Sequence, residues 1–289
     1  AVGTRAAEEQ GDAGGRVLQM LRSVDLATWT PMGSALTALT PGKGDAYWAP
    51  EVAFADGRFW LYYSVGRGDK AHHIRVAVSK TPDGPYEDCG ARVTSPYEIP
   101  FAIDASPFQD DDGQWYLFYA RDFLDTERPG TVVVVDRMVD MTRLAGEPVV
   151  VARAQHEWQR FVSNRVMYGG VYDWHTIEGP CVRKHDARYY CFFSAGRWEN
   201  ESYGVDYAVA DHPMGPWACD SNDDGARVLR TIPGELIGPG HNSITQSSDG
   251  ATDYIVYHAW DAGMTARRIF LNPVVWTPEG PRVTAGVGR

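Results

Sequence analysis

The chain has 289 residues, 44% hydrophobic and 12% aromatic, with a formal net charge of −11, enough for one large all-β domain or two ordinary ones. Such an acidic balance argues against a nucleic-acid backbone as partner, which needs a basic face, and no apolar run approaches the roughly 18 to 20 residues of a membrane span. The start, Ala1-Val2-Gly3-Thr4-Arg5, does not read as a signal peptide, and 4 cysteines are too few for a disulfide scaffold.

In chain order the elements are strands. Val17–Ser23 is a short apolar run, followed by Asp25–Trp29 and a turn. Trp48–Phe54, the turn Asp56-Gly57 and Phe59–Ser64 form a hairpin, because Asp-Gly accepts the positive φ angles of a tight turn. A third run, Ile74–Ser79, leads to Asp83-Gly84-Pro85-Tyr86. The pattern returns as Asp104–Phe108, Asp112-Gly113, Trp115–Tyr119 and Thr131–Val135. It returns again as Glu178-Gly179-Pro180 with the hairpin Cys181–Ser194 and the strand Val205–Ala210. The last copy opens at His241–Ile244, turns at Asp249-Gly250, and continues through Tyr254–His258 to Arg267–Leu271. The stretch Asp140–Asp173 is the least regular and is expected to carry a long loop. Cys181 and Cys191 flank one hairpin and read as two buried free thiols.

Sheets of three or four strands recurring about every 55 to 75 residues, with aromatic second strands, are the sequence pattern of a β-propeller. Four full copies plus the Val17–Trp29 piece predict an all-β, five-bladed propeller. No linker divides residues 1–289, so they are expected to form one domain, with the first blade incomplete at the N-terminus. A β-sandwich competes, but matched third strands in four hairpin copies speak against it.

In a propeller the first strand of each blade lines the central channel, and its first residues crowd one mouth. Aligning the copies on their turns brings Trp48, Asp104, Glu178 and His241 to that mouth. Alone, Glu178 reads as a solvated turn carboxylate; in this company it becomes a candidate. Two carboxylates across a pocket can hydrolyse a glycosidic bond: one protonates the leaving oxygen while the other drives water, about 6.5–9.5 Å away for inversion. An aromatic plate suits the apolar face of a sugar.

The motifs Trp48-Ala49-Pro50-Glu51, Ile103–Phe108, Glu178-Gly179-Pro180, Gly240–Ser243 and the Arg267 strand together resemble glycoside hydrolase family 43. The resemblance implies a five-bladed propeller that hydrolyses α-L-arabinofuranosides, arabinan or β-xylosides with inversion, acting on plant cell-wall oligosaccharides or arabinoxylan. It implies that Glu178 is the general acid and that Asp104 tunes and orients it, a second carboxylate raising an acid's pKa. It makes Trp48 a sugar platform, places Arg267 with the substrate, and puts His241 at the channel centre, where family members often hold a water-coordinated calcium ion; no other cofactor is implied.

One departure stands out. The family opens with a strand whose Asp is the general base, whereas Ala1-Val2-Gly3-Thr4 already resembles the second strand of that blade, so the base is expected upstream of Ala1. Glu8, Glu9, Asp12 and Asp45 read as loop residues rather than replacements. Trp174 and His175 either shape the substrate pocket or pack the long loop. His72-His73 reads as surface, lacking a partner at metal-ligand spacing, and Asp110-Asp111-Asp112 as an acidic turn. A glycosidase of an oligosaccharide or polysaccharide is the first reading, and a non-catalytic carbohydrate-binding propeller the second. The few cysteines tilt the expected location toward the cytoplasm over secretion.

Overall fold

Paired positive φ angles set several of the tight turns. Asp56 (φ 51°) and Gly57 (φ 70°) close one hairpin, and Asp186 (φ 46°) with Ala187 (φ 62°) closes another, the backbone of a type I′ turn that matches the twist of the strands it joins. The computed structural model describes residues 1–4, 15–39, 46–94 and 99–284; Glu8, Glu9, Asp12 and Asp45 lie outside them. Two compact units are present. One comprises Ala1–Arg121 with Val135–Pro148, the other Asp122–Val134 with Val149–Arg289.

In the first unit, β1 (Val2–Gly3), β2 (Arg16–Arg22) and β3 (Thr30–Thr37) form an antiparallel sheet in that order. A four-stranded meander follows: β4 (Ala46–Ala55), β5 (Arg58–Arg67), β6 (Lys70–Ser79) and β7 (Glu87–Arg92). Next, β8 (Ala102–Gln109) pairs with β9 (Trp115–Phe123). The unit boundaries fall within β9 and β10 (Gly130–Asp140), and the end of β10 pairs with β11 (Arg143–Leu144).

The second unit continues with β12 (Val149–Ala152), β13 (Arg160–Met167) and the 16-residue β14 (Gly170–His185). Here the expectation of a long loop over Asp140–Asp173 is corrected. Much of that stretch is strand, and β13 folds back on the first half of β14 through the turn Tyr168-Gly169, both at positive φ. The start of β10 pairs in parallel with β14, Gly130 opposite His175. The second half of β14 opens a meander with β15 (Arg188–Ala195) and β16 (Gly204–Ala210), and the last sheet is β17 (Ile237–Gln246), β18 (Asp253–Trp260), β19 (Arg267–Thr277) and β20 (Gly280–Val283).

The second strands β5, β9 and β15 are buried on both faces, whereas β18 alternates buried and half-buried residues. Leu61, Tyr62 and Tyr63 are consecutive and fully buried, as are Leu117, Phe118 and Tyr119, and Cys191, Phe192 and Phe193. A strand with one wet face would alternate instead. Leu61 and Tyr63 join Leu36, Tyr47 and Tyr86 in one core, and Phe192 joins Tyr207, Ile255 and Tyr257 in the other.

One irregularity repeats on every first strand. The pairing slips between Trp48 and Glu51 on β4, Ile103 and Ser106 on β8, Glu178 and Cys181 on β14, and Gly240 and Ser243 on β17. Each slip is a β-bulge with one residue at positive φ: Ala49 (44°), Asp104 (60°), Gly179 (56°) and His241 (50°). A bulge turns its backbone N–H out of the ladder, and at Asp104, His241 and Ala49 a hydroxyl from earlier in the chain receives it. Asp104 donates to Ser64 Oγ (3.0 Å) and His241 to Ser194 Oγ (2.7 Å). Ala49 donates to Thr4 Oγ1 (2.9 Å), so Thr4, just after β1, serves Ala49 as Ser64 on β5 serves Asp104.

Ser64 and Ser194 are both fully buried. Ser64→Ala and Ser194→Ala are each expected to cost about 1–3 kcal/mol, the penalty of a buried N–H left without an acceptor. Denaturant unfolding checks this; a loss below about 0.5 kcal/mol would show that the hydroxyl clamp contributes little.

Candidate active site

The bulge register refines the turn-based alignment by one residue. Asp104 and His241 are the positive-φ residues themselves, whereas Trp48 and Glu178 stand one place earlier, before Ala49 and Gly179. In the first unit Asp104 is 6% exposed and is held at its bulge by the Ser64 hydroxyl. Trp48 is half-buried, one face stacked on the His72 ring at 3.6 Å between centroids, and Phe101 meets the edge of His72. This corrects the reading of His72-His73 as surface: both are buried, His72 backing the indole and donating from Nε2 to the Gly68 carbonyl (2.8 Å). An indole braced from behind presents one stiff face.

The second unit holds Glu178 in a tighter setting. Tyr203, between β15 and β16, donates its hydroxyl to Glu178 Oε1 at 2.7 Å. The Tyr203 ring is 1% exposed and stacks on His258 of β18, 5.8 Å away and 11° from parallel. It lies so close over Gly240 that a Cβ there would overlap it. Gly179 meets two demands at once, a positive φ and room for His241, whose ring a Cβ would crowd at 3.3 Å. Arg267, at the start of β19, lays its guanidinium over Trp198 (4.7 Å) and lies within the electrostatic reach of Glu178 and Tyr203. Trp198 is parallel to Trp260 within 14°, and Trp260 Nε1 donates to Trp198 O. The surrounding bulk lowers the pKa of Arg267, partly countered by Tyr203 and Glu178.

A carboxylic acid in this pocket has a donor fixing one oxygen and a cation beside it. That arrangement can orient a proton toward an oxygen leaving group. Residues 9–281 match the family described as "Glycosyl hydrolases family 43". The chain belongs to glycosyl hydrolase family 43. Among its relatives, "Beta-D-galactofuranosidase xynD" of Aspergillus niger is 33% identical over 85% of this chain and 66% of its own length. "Extracellular exo-alpha-(1->5)-L-arabinofuranosidase" of Streptomyces avermitilis is 25% identical over 87% of this chain and 51% of its own. The chain thus spans about half to two thirds of the length of these relatives. A solved thermostable family-43 glycoside hydrolase superposes with a TM-score of 0.82 at 30% identity, covering 95% of this chain and 87% of that one. The fold is the five-bladed β-propeller expected from the repeats.

Other family 43 features fall as follows. Trp174 is 1% exposed and packs inside the β13–β14 hairpin against Tyr168, Tyr172 and Arg165, so it has no face for a sugar. His175 is 3% exposed and lines a groove beside that hairpin. Cys181 and Cys191 are free thiols. The base expected upstream of Ala1 is outside the described residues. Calcium takes six to eight oxygens, and among the described residues no three His, Cys, Asp or Glu side chains converge to hold an ion directly. His241 offers an imidazole rather than oxygens, so it would meet an ion only through water. The cytoplasmic expectation is corrected: relatives from Streptomyces avermitilis, Bacillus subtilis and Cellvibrio japonicus are named as extracellular enzymes, so in this family few cysteines do not mark the cytoplasm.

Sequence reasoning missed Tyr203, His258 and Trp198. Tyr203 ends a loop, Asn200–Tyr203, whose side of the sheet no spacing reveals; His258, closing an aromatic second strand on the same meander end as Glu178, was the available signal.

Burial, then Arg267 and His241, hold the pKa of His258 well below its ordinary 6.5. Burial likewise lowers His175, and lowers His73 to about 4. On unfolding each regains its ordinary value, so below about pH 6.5 the unfolded chain binds protons that the folded chain refuses. Their contribution to stability is therefore present above about pH 6.5 and lost as pH falls. The melting midpoint is expected to drop between pH 7 and 5, with a shallower drop in His258→Gln; equal slopes would remove His258 from this account.

Proposed function

We propose that the protein is an inverting exo-glycosidase releasing terminal α-L-arabinofuranosyl residues from arabino-oligosaccharides or arabinoxylan. Glu178 is the general acid, and the observation that carries this is its hydrogen bond from Tyr203 within reach of Arg267. Asp104 is the carboxylate that tunes the acid, Arg267 and Trp48 bind the sugar, and the base is a further carboxylate. Glu178 gives its proton to the glycosidic oxygen as the bond to the anomeric carbon breaks. Water, deprotonated by the base, attacks the opposite face, so the released sugar has the inverted anomeric configuration.

A second reading is favoured by the Aspergillus niger relative named as a β-D-galactofuranosidase. β-D-Galactofuranose and α-L-arabinofuranose share the arrangement of their ring hydroxyls and differ at the exocyclic carbon, so one pocket can take either. The β-xyloside reading has a six-membered ring instead. Aryl α-L-arabinofuranoside, β-D-galactofuranoside and β-D-xyloside, assayed in parallel, rank the three by kcat/KM. Proton NMR of the first product tests inversion. Sugar binding without turnover of any of them would favour the carbohydrate-binding propeller.

Glu178→Gln is expected to lower kcat on the best substrate by about a thousandfold, and Asp104→Asn by about 10- to 100-fold; comparable turnover by Glu178→Gln would end its assignment as the acid. The acid works only while protonated, so activity falls as pH rises through its pKa. Because the Tyr203 hydroxyl donates to the carboxylate, it favours the charged form and lowers that pKa. Tyr203→Phe is therefore expected to move the alkaline limb of kcat/KM up by roughly half to one pH unit. A limb that stays put or moves down would show that Tyr203 only fills space.

A further inference from the structure

A groove of about 540 Å³ opens beside the β13–β14 hairpin, lined by Arg128, Glu157, Arg160, Tyr172, Asp173 and His175 among others. Its floor belongs to the strand that carries Glu178. His175 precedes the acid by three residues on β14, about 10 Å at a strand's rise of roughly 3.3 Å per residue. Its other wall is the connection between β9 and β10, residues 124–129. That connection joins a second strand to a third, as do the β15–β16 connection bearing Trp198 and Tyr203 and the β18–β19 connection leading to Arg267. Groove and acid therefore occupy the same end of their sheets.

The groove's polar groups lack something specific. His175 Nδ1 sits 3.1 Å from the carbonyl of Asp173, which can only accept, so Nδ1 carries the proton. Burial lowers the pKa of the ring and so favours its neutral form, in which Nε2 is an acceptor. It faces Glu157 Oε1, another acceptor, at 4.0 Å and has no hydrogen-bond partner. Arg128 Nε, a buried donor, also has no hydrogen-bond partner and stands 3.7 Å from that same oxygen. An acceptor and a donor are thus left unmatched around one carboxylate oxygen. A hydroxyl group meets both needs, because it donates once and accepts as well.

Charge narrows the ligand further. Glu127, Glu157 and Asp173 outnumber Arg128 and Arg160 at the groove, with Arg160 Nη1 already 2.9 Å from Glu157 Oε2 and 3.8 Å from Asp173 Oδ2. An anionic ligand would be repelled, and a neutral polyol would not. Tyr172, half-buried, contributes an aromatic side chain to the groove's lining.

We propose that this groove is a distal subsite on the leaving-group side, holding a neutral sugar unit of the polysaccharide about two rings beyond the bond that is cut. The inference rests on Glu178 being the acid: an acid stands beside the leaving oxygen, so the chain beyond that oxygen is the part of the substrate that reaches further along β14. Binding there stabilises ground state and transition state alike, so it acts on KM and leaves kcat unchanged.

The test compares an aryl α-L-arabinofuranoside with arabino-oligosaccharides of increasing length, for the wild type and for the double variant Arg128→Ala/Tyr172→Ala. For the wild type, KM is expected to fall with length. The variant is expected to lose that gain, with KM for the longest oligosaccharide rising about tenfold, while kcat and the aryl-glycoside constants change less than twofold. A wild type that cleaves the aryl glycoside with no dependence on chain length overturns the groove and leaves the acid intact. An equal loss on both substrates overturns it as well, showing a merely structural effect. If the wild type is inert toward every glycoside, the acid reading fails; calorimetric titration of the longest oligosaccharide then decides the groove, supported by binding that the double variant weakens about tenfold and overturned by equal binding or none.

Discussion

Everything chemical in this protein hangs on a backbone conformation that most side chains avoid. A positive φ costs an ordinary L-residue roughly 1–2 kcal/mol, yet β4, β8, β14 and β17 each adopt it at the bulge, at Ala49, Asp104, Gly179 and His241. The benefit is directional. A bulge breaks the alternation that would send successive side chains to opposite faces, so residues beside it point along the sheet end instead of into the core. Asp and His are among the residues that tolerate this region best, and two of the four positions use them. The buried hydroxyls of Ser64 and Ser194 then satisfy the N–H that the bulge has removed from its ladder.

Around Glu178 the same economy of space is visible. Gly240 has no side chain because the Tyr203 ring occupies the place of its Cβ, and the other side of that ring is taken by His258. With the ring confined between neighbours and neutral His258 beneath it, the phenol has little freedom to leave the carboxylate. Orientation of the Glu178 carboxylate is thereby inherited from packing, so no rotamer freedom has to be lost to hold it. Arg267 is less confined, held by an indole face, and suits a group that meets a changing ligand.

Much of this was legible in the sequence, for a physical reason. Asp56-Gly57 and its counterparts announce hairpins because few other dipeptides accept their angles, and the aromatic second strands announce sheets buried on both sides. Spacing therefore found the repeats, and the repeats led to Asp104, Glu178 and His241, which lie at or beside the bulges. It could not find the bulges, which shift the register by one residue without changing the hydrophobic pattern, and so it aligned Trp48 with Asp104. Nor could it read 160–176 as a hairpin. Asn164 and Tyr168 take positive φ without glycine there, and Trp174 is buried by its own neighbours, so the usual alternation is blurred.

The division of labour between strands and connections explains how one framework serves several sugars. A strand buried on both faces has almost no freedom to vary, because any change in volume is felt on two sides. The connections at the acid's end face water and carry Trp198, Tyr203, the approach to Arg267 and the wall of the hairpin groove. Relatives whose names specify galactofuranoside, arabinofuranoside or arabinan share 24–33% of residues with this chain. Sheets that cannot drift hold Glu178 in place, while the connections are free to vary. Specificity in such a protein is therefore to be sought in the residues that join the strands, and least of all in the aromatic cores that made the fold recognisable.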